Sequence, residues 1–220
     1  MDKLDTVIEE IRTTFEAKSA VRDAALQRSR TLIRYCADAI RAAHRGDFGD
    51  AEVLLATAGS AAQELVADLQ PYPDLYHAGY TQDALKEYVE ARAVYAFITG
   101  GDLPTPAALG VEPAAYLHGL GEAASEMRRH SLDLMRQNRL ERAETIMAIM
   151  DDIYSQLIAI DFPDAITSGL RRTTDMLRGV VERTRGDLTT AFRQEMMRRA
   201  LHDFETRIGA EEQPGQNSSV

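Results

Sequence analysis

Apolar residues recur every three or four positions along most of this chain, which is the spacing of one face of an α-helix. The pattern starts at Leu4 and meets no proline before the turn at residues 44–50, so it predicts a first helix of about forty residues. No segment shows the sustained two-residue alternation of a half-buried strand. The predicted fold is therefore all-α.

Prolines and glycines interrupt the helical pattern at a few places and divide the rest of the chain into further helices. Asp50 is placed to cap the second helix, Pro113 to begin a later one, and Asn138 to mark a turn. The predicted helices cover residues 4–43, about 50–69, 85–99, 113–137, 146–160 and 166–208. The pattern predicts a bundle of about six or seven helices, several of them long.

These helices are assigned to a single domain spanning residues 1–208, because 220 residues with 45% hydrophobic content fit one globular domain. Residues 209–220 have the composition of a disordered tail. A helix of about forty residues spans roughly 60 Å, which is longer than one small bundle can cover. The sequence therefore predicts that the protein assembles into an oligomer.

Charge and composition exclude several classes of protein. The 25 basic and 35 acidic residues give a net charge of −10, so an anionic partner must bind at a local basic patch. A secretory signal and a transmembrane helix are not expected, because charged residues interrupt every long apolar run. Cys36 is the single cysteine and cannot form an intramolecular disulfide. We expect a soluble, cytoplasmic protein with no membrane partner.

Two pairs of glutamates are the most informative acidic residues. Glu87 and Glu90 are three residues apart, and Glu122 and Glu126 are four apart, so each pair shares one helix face. If the two helices pack together, the four carboxylates converge, and a divalent cation is the simplest compensation for their charge. Oxygen ligands favour Mg²⁺ or Mn²⁺, which suits activation of water for attack on phosphate. A phosphodiesterase or pyrophosphohydrolase is predicted, with solvated surface glutamates as the alternative interpretation.

The second half of the first helix carries a basic stripe. Arg30, Arg34, Arg41 and Arg45 are separated by four, seven and four residues, so they line one side of the helix. Such a side can follow a phosphate backbone. A solvated face balanced by acidic residues elsewhere is the alternative interpretation.

Three segments together resemble the translin/TRAX family. They read Ala-Ile-Arg-Ala-Ala-His-Arg-Gly at 39–46, Leu-Lys-Glu-Tyr-Val-Glu-Ala at 85–91, and Tyr-Leu-His-Gly-Leu-Gly-Glu-Ala-Ala-Ser-Glu-Met-Arg-Arg at 116–129. The resemblance covers roughly residues 20–205, and the Glu-Tyr-Val-Glu-Ala motif is fairly specific in that context. The short chain resembles prokaryotic members of the family, archaeal ones in particular.

The resemblance is to the catalytic, TRAX-type subunits, and it implies a Mg²⁺-dependent endoribonuclease acting on single-stranded RNA. Glu87 and Glu90 match the family's catalytic glutamate pair, and Glu126 matches a following glutamate. Glu122 stands where the catalytic eukaryotic subunits have aspartate, one methylene shorter. The resemblance implies that these four carboxylates hold the metal and carry the catalysis.

The resemblance also implies how nucleic acid is bound. Arg34 matches the family best, and Arg28, Arg30 and Arg41 are added to the predicted nucleic-acid-binding set from helical geometry. Residues 76–83 are much less basic than the corresponding stretch of eukaryotic translins, so binding is expected to depend on the first helix.

Assembly and ligand follow from the same resemblance. It implies a closed ring or barrel of identical subunits, an octamer or hexamer, with the basic face and the active sites turned inwards. Single-stranded RNA is the predicted ligand, with single-stranded DNA as a further one. A non-catalytic nucleic-acid-binding scaffold and an all-α Mg²⁺-dependent nucleotide pyrophosphohydrolase are the alternative functions.

Overall fold

A computed structural model describes residues 2–211 and the side chains of residues 3–208. This part of the chain contains six long helices, three one-turn helices and no strand, so the all-α prediction is confirmed. The helices are α1 (Asp2–Arg45), α2 (Phe48–Leu69), α3 (Pro73–Tyr76), α4 (Gly79–Thr99), α5 (Pro106–Leu109), α6 (Pro113–Arg136), α7 (Leu140–Ile158), α8 (Asp164–Thr167) and α9 (Leu170–Glu211).

The turns at Gly46, Pro113 and Asn138 follow the predicted signals, but α4 and α7 each begin six residues before the predicted starts at 85 and 146, and α7 ends at Ile158. Helix α1 ends before Gly46, whose φ of 81° lies in the left-handed region that glycine adopts without strain. Helix α2 begins at Phe48 with Asp47 at its N-cap, so Asp50 lies in the first turn and is not the cap that the sequence predicted. Pro113 begins α6 as predicted, and Asn138, with a φ of 58°, turns the chain into α7.

The last helix differs from the prediction at both ends. Ser168 and Gly169 have positive φ, which separates the one-turn helix α8 from α9, so the long helix begins at Leu170 and not near Ile166. It continues to Glu211, past the predicted end at Ile208. The remainder of the predicted tail, residues 212–220, lies outside the described residues.

Helix α4 occupies the centre of the bundle. It packs against α1 on one side and α6 on the other, while α2 covers α1, and α7 and α9 cover α6. Buried residues lie all round its axis, including Leu85, Val89 and Val94. Cys36 of α1 and Met127 of α6 are fully buried in the same core. Polar side chains on α4 are therefore held between neighbouring helices.

The outer halves of the two longest helices expose apolar side chains. On α1 these are Leu4, Val7, Ile8, Ile11 and Phe15, and on α9 they are Met196, Met197, Leu201, Phe204 and Ile208. Such residues normally face a partner surface when they form a contiguous patch. None of the described helices combines the length and apolar character needed to cross a membrane.

Candidate functional site

The two predicted pairs of glutamates lie on the packed helices α4 and α6. Glu87, Glu90 and Glu122 each bring one carboxylate oxygen within 4.8 Å of the others, and all three side chains are partly buried. We call these residues the three-carboxylate cluster. Glu126 lies one turn beyond Glu122 on α6 but outside this cluster. The structure thus joins three of the four predicted carboxylates at ligand-sharing distances.

A glycine allows the two helices to approach this closely. A Cβ atom at Gly119 would lie 2.6 Å from the Lys86 carbonyl oxygen and 2.7 Å from the Val89 Cβ. Both distances are too short for real atoms, so any larger residue at this position would push α6 away from α4. Gly119 lies one turn before Glu122, and the close approach therefore places the carboxylates of the two helices together.

Lys86 lies within the acidic site. Its Nζ donates to Oε1 of Glu122 at 2.8 Å and forms ion pairs with Oε2 of Glu122 at 2.7 Å and Oε1 of Glu87 at 3.2 Å. Burial lowers the pKa of Lys86, but the two carboxylates outweigh burial, and the net effect is a raised pKa. The ammonium group therefore stays protonated and places a positive charge beside two members of the three-carboxylate cluster.

Glu90 is the least compensated member of the cluster. Burial, followed by the charges of Glu87, Glu122 and Glu126, raises the pKa of Glu90 to about 8, while Lys86 lowers it. Glu90 has no ion pair with any residue that the structure describes. A surplus of half-buried negative charge on oxygen donors suits a hard divalent cation such as Mg²⁺ or Mn²⁺, so the residues fit the predicted metal.

Glu126 is held by a buried histidine. Nε2 of His44, near the end of α1, donates to Oε1 of Glu126 at 2.8 Å, and the His44 side chain is only 3% exposed. The imidazole of His130 lies beside it, with 5.9 Å between ring centroids. Nδ1 of His44 is buried without a hydrogen-bond partner in the described part of the chain. Helix α1 therefore contributes a polar contact to the acidic site.

The four predicted nucleic-acid-binding arginines are all exposed on α1 but are not equivalent. Nη1 of Arg28 lies 3.3 Å from Oε2 of Glu64 and 3.0 Å from Oδ2 of Asp68, both on α2. Arg41 forms an ion pair with Asp38 on its own helix. Arg30 and Arg34 form no ion pair with the described residues, and the Arg34 guanidinium lies 5.7 Å from the centre of the Tyr35 ring. Arg30 and Arg34 are thus the arginines most available to a phosphate.

Sequence reasoning missed Lys86 and His44 as members of the site. The signal for His44 was its spacing of four residues from the buried Ile40, which places both on one face of α1. Lys86 precedes Glu87 directly, but adjacency on a helix does not predict contact with Glu122, 36 residues away. Both contacts depend on the packing of helices that are distant in the chain.

Comparison with known proteins shows relatives of nearly the same length. No family model matches the chain. The uncharacterized protein MJ0175 of Methanocaldococcus jannaschii is 29% identical over 202 residues, which cover 91% of this chain and 88% of that protein.

Solved structures share the fold. A complex of AfC3PO with duplex RNA matches with a TM-score of 0.73 and 31% identity, covering 86% of this chain and 98% of that one. A crystal structure of AfC3PO matches with a TM-score of 0.76 at the same identity and coverage. The crystal structure of apo-NeC3PO matches with a TM-score of 0.76 and 22% identity, and the match covers 84% of this chain and 96% of that one. This similarity supports the fold.

Proposed function

Because the chain belongs to the translin/TRAX family of C3PO-type proteins, we propose that it binds single-stranded RNA and cleaves it internally with Mg²⁺. The observation that carries the proposal is the three-carboxylate cluster, in which oxygens from two helices lie within 4.8 Å of one another. The 31% identity to AfC3PO, which was solved with duplex RNA, supports a nucleic-acid ligand.

The residues divide the chemistry between them. Glu87, Glu90 and Glu122 would hold Mg²⁺, and Glu126, oriented by His44, completes the acidic site. Bound Mg²⁺ supplies an acidified water and neutralises charge that develops on the phosphate. The close packing of α4 on α6 fixes the backbones that carry the carboxylates before RNA arrives, which limits the reorganisation that the reaction needs.

Arginines of α1 would bind the RNA backbone. Arg30 and Arg34 present exposed guanidinium groups without competing acids among the described residues, and Arg28 and Arg41 lie on the same helix with acidic neighbours. Guanidinium groups contact phosphate oxygens through two parallel hydrogen bonds. Such contacts allow RNA or single-stranded DNA to be bound without regard to its sequence.

A closed homo-oligomer, an octamer or hexamer, is part of the proposal. The exposed apolar residues on the outer halves of α1 and α9 support it, because a single copy leaves them in water.

Cleavage of an end-labelled single-stranded RNA tests the proposed function. Internal cutting should require Mg²⁺ or Mn²⁺, stop with EDTA, and fall by at least about 100-fold in Glu87→Ala and Glu90→Ala while assembly is unchanged. The matched control is Glu144→Ala, an exposed glutamate on α7, which should cleave like the parent protein. Binding without cutting under both metals would refute the nuclease, and release of pyrophosphate from nucleoside triphosphates would favour the pyrophosphohydrolase.

A non-catalytic RNA-binding assembly is the second candidate, and Lys86 is the observation that favours it. Its ammonium already neutralises part of the charge on Glu122 and Glu87, so the site can exist without a metal. Retained RNA binding in Glu90→Ala, combined with no cleavage by the parent protein, is the outcome that this candidate predicts.

A further inference from the structure

Lys86 occupies an unusual position for a lysine. It is one of three lysines in the chain, and its side chain is 18% exposed between α4 and α6. Its Nζ lies 2.7 Å from Oε2 of Glu122 and 3.2 Å from Oε1 of Glu87, two of the three candidate metal ligands. Nζ of Lys18, by contrast, lies 2.5 Å from Oδ2 of the exposed Asp74, which is not part of the three-carboxylate cluster. The ammonium of Lys86 therefore lies where a metal would be bound.

We propose that Lys86 is a further catalytic residue of the acidic site. Its ammonium is the counter-ion of Glu87 and Glu122 while these carboxylates hold no metal. When they hold Mg²⁺, the same ammonium contacts the scissile phosphate of the RNA. This inference rests on the proposed function, because it assigns Lys86 a part in that cleavage.

Competition for the carboxylate oxygens is the first step of the argument. An ammonium and a divalent cation compete for the lone pairs of the same Glu122 oxygens, and the two positive charges repel each other at that distance. Loading the cluster with metal therefore weakens the contacts of Lys86 with Glu122 and favours release of its ammonium. Removing its charge removes a competitor, so the cluster should bind a divalent cation more tightly.

The second step concerns where the released ammonium lies. The backbone of Lys86 is fixed in α4 next to Glu87 and against Gly119 of α6, so only its flexible four-carbon stem can move. The ammonium then stays beside the cluster, where the phosphate to be cleaved must lie. It can donate to a non-bridging phosphate oxygen and stabilise the charge that grows there in the transition state.

Lys86→Met separates these two effects, because methionine keeps an unbranched side chain and loses the charge. Calorimetric titration of the RNA-free protein with Mn²⁺ should show about tenfold tighter binding than in the parent. Cleavage at saturating metal should show kcat about 100-fold lower with KM for RNA nearly unchanged. Lys86→Arg, which keeps a positive donor, should recover part of kcat.

Lys18→Met is the matched control, since it removes a lysine that also pairs with an acid but lies outside the cluster. It should leave both metal affinity and kcat at the parent values. If Lys86→Met fails to fold, Lys86→Gln carries the same neutral charge, and the same two measurements apply to it.

The outcomes distinguish the inference from the proposed function. Parent-like metal affinity and kcat in Lys86→Met, with only a lower Tm, would show a structural ion pair and overturn the inference alone. Tighter metal binding with unchanged kcat would overturn the catalytic role. If neither the parent nor the variant binds Mn²⁺, the proposed function and the inference are both overturned.

Discussion

Glu90 shows how burial sets the chemistry of one residue. It is partly buried, it faces three other carboxylates, and it has no ion pair with the described residues. Its charged form is therefore unfavourable in the folded protein unless a cation is present. The instability of the metal-free site is the physical basis for expecting that a divalent cation stabilises the protein.

The pKa of Glu90 leads to a pH prediction for the metal-free protein. Its folded pKa of about 8 lies above the ordinary value of 4.5, so the unfolded chain releases this proton at lower pH than the folded one. In EDTA, the contribution of this group to stability should not change with pH below 4.5, should fall as the pH rises from 4.5 to about 8, and should level off above that pKa. Glu90→Gln should raise Tm by about 2–8 °C at pH 8.5 and change it little at pH 5.

Thermal unfolding in EDTA at both pH values is the measurement. Added Mn²⁺ should raise the Tm of the parent at pH 8.5 but have much less effect on Glu90→Gln, since the variant lacks one ligand. Parallel pH profiles for the two proteins would contradict the assignment of this destabilisation to Glu90.

His44 leads to a second prediction at this scale. It holds Glu126, which lies outside the three-carboxylate cluster, so His44→Ala should lower kcat by about tenfold while the affinity for Mn²⁺ stays near the parent value. His202→Ala, at an exposed position of α9, is the control and should change neither quantity. A large loss of metal affinity in His44→Ala would instead make Glu126 a ligand.

At the scale of helices, the contact between α4 and α6 decides whether the site exists. Neither helix carries the cluster alone, because Glu87 and Glu90 come from one and Glu122 from the other. Gly119 sets the separation between them. The position of the glycine is thus as important to the site as the carboxylates themselves.

Gly119→Ala tests this dependence. The added methyl group meets the Lys86 backbone, which cannot yield without moving α4, so we expect a loss of about 1–3 kcal/mol in stability and weaker Mn²⁺ binding. Gly186→Ala on α9, where no described atom beyond the local helix backbone lies within 4 Å of the added Cβ, should be neutral or stabilising by about 0.4–1 kcal/mol. Chemical denaturation and metal titration of both variants make the comparison, and equal metal affinity in the two would count against the role of Gly119.

At the scale of the whole molecule, a protein with a net charge of −10 must bind RNA through a local surface. Arg30→Ala and Arg34→Ala should each weaken RNA binding and reduce the slope of log K against log salt by about 0.7. Arg28→Ala should have a smaller effect, because Glu64 and Asp68 already compete for its guanidinium. Fluorescence anisotropy across a salt series measures these slopes. Slopes equal to that of the parent protein in all three variants would place the RNA elsewhere.

The exposed apolar residues predict the assembly. Met197, Leu201, Phe204 and Ile208 share one side of α9, and Leu201→Asp with Phe204→Asp should shift the oligomer to smaller species. Thr206→Asp, on the opposite side of the same helix, should leave the mass unchanged. Light scattering after size-exclusion chromatography gives the masses, and an unaltered oligomer in the double variant would exclude this surface from the interface.

Features of the chain that depend on neighbouring residues were predictable from sequence. The helical period, the proline at the start of α6 and the turn at Asn138 are local, because backbone hydrogen bonds and allowed φ values involve residues a few positions apart. The pairing of Glu87 with Glu90 on one helix face is local in the same sense. The separation of α8 from α9 was missed although Ser168-Gly169 is a turn dipeptide, because the spacing of Ile166 and Leu170 continues the helical period across it.

Features that depend on which helices meet were decided by the tertiary structure. The sequence predicts four glutamates on two helix faces. Packing brought three of them together, whereas Glu126 accepts a hydrogen bond from His44, 82 residues away. It also brought Lys86 onto Glu122. The reason is physical: side-chain spacing fixes a direction from the helix axis, whereas the distance between two helices is set by the residues at their contact, here Gly119.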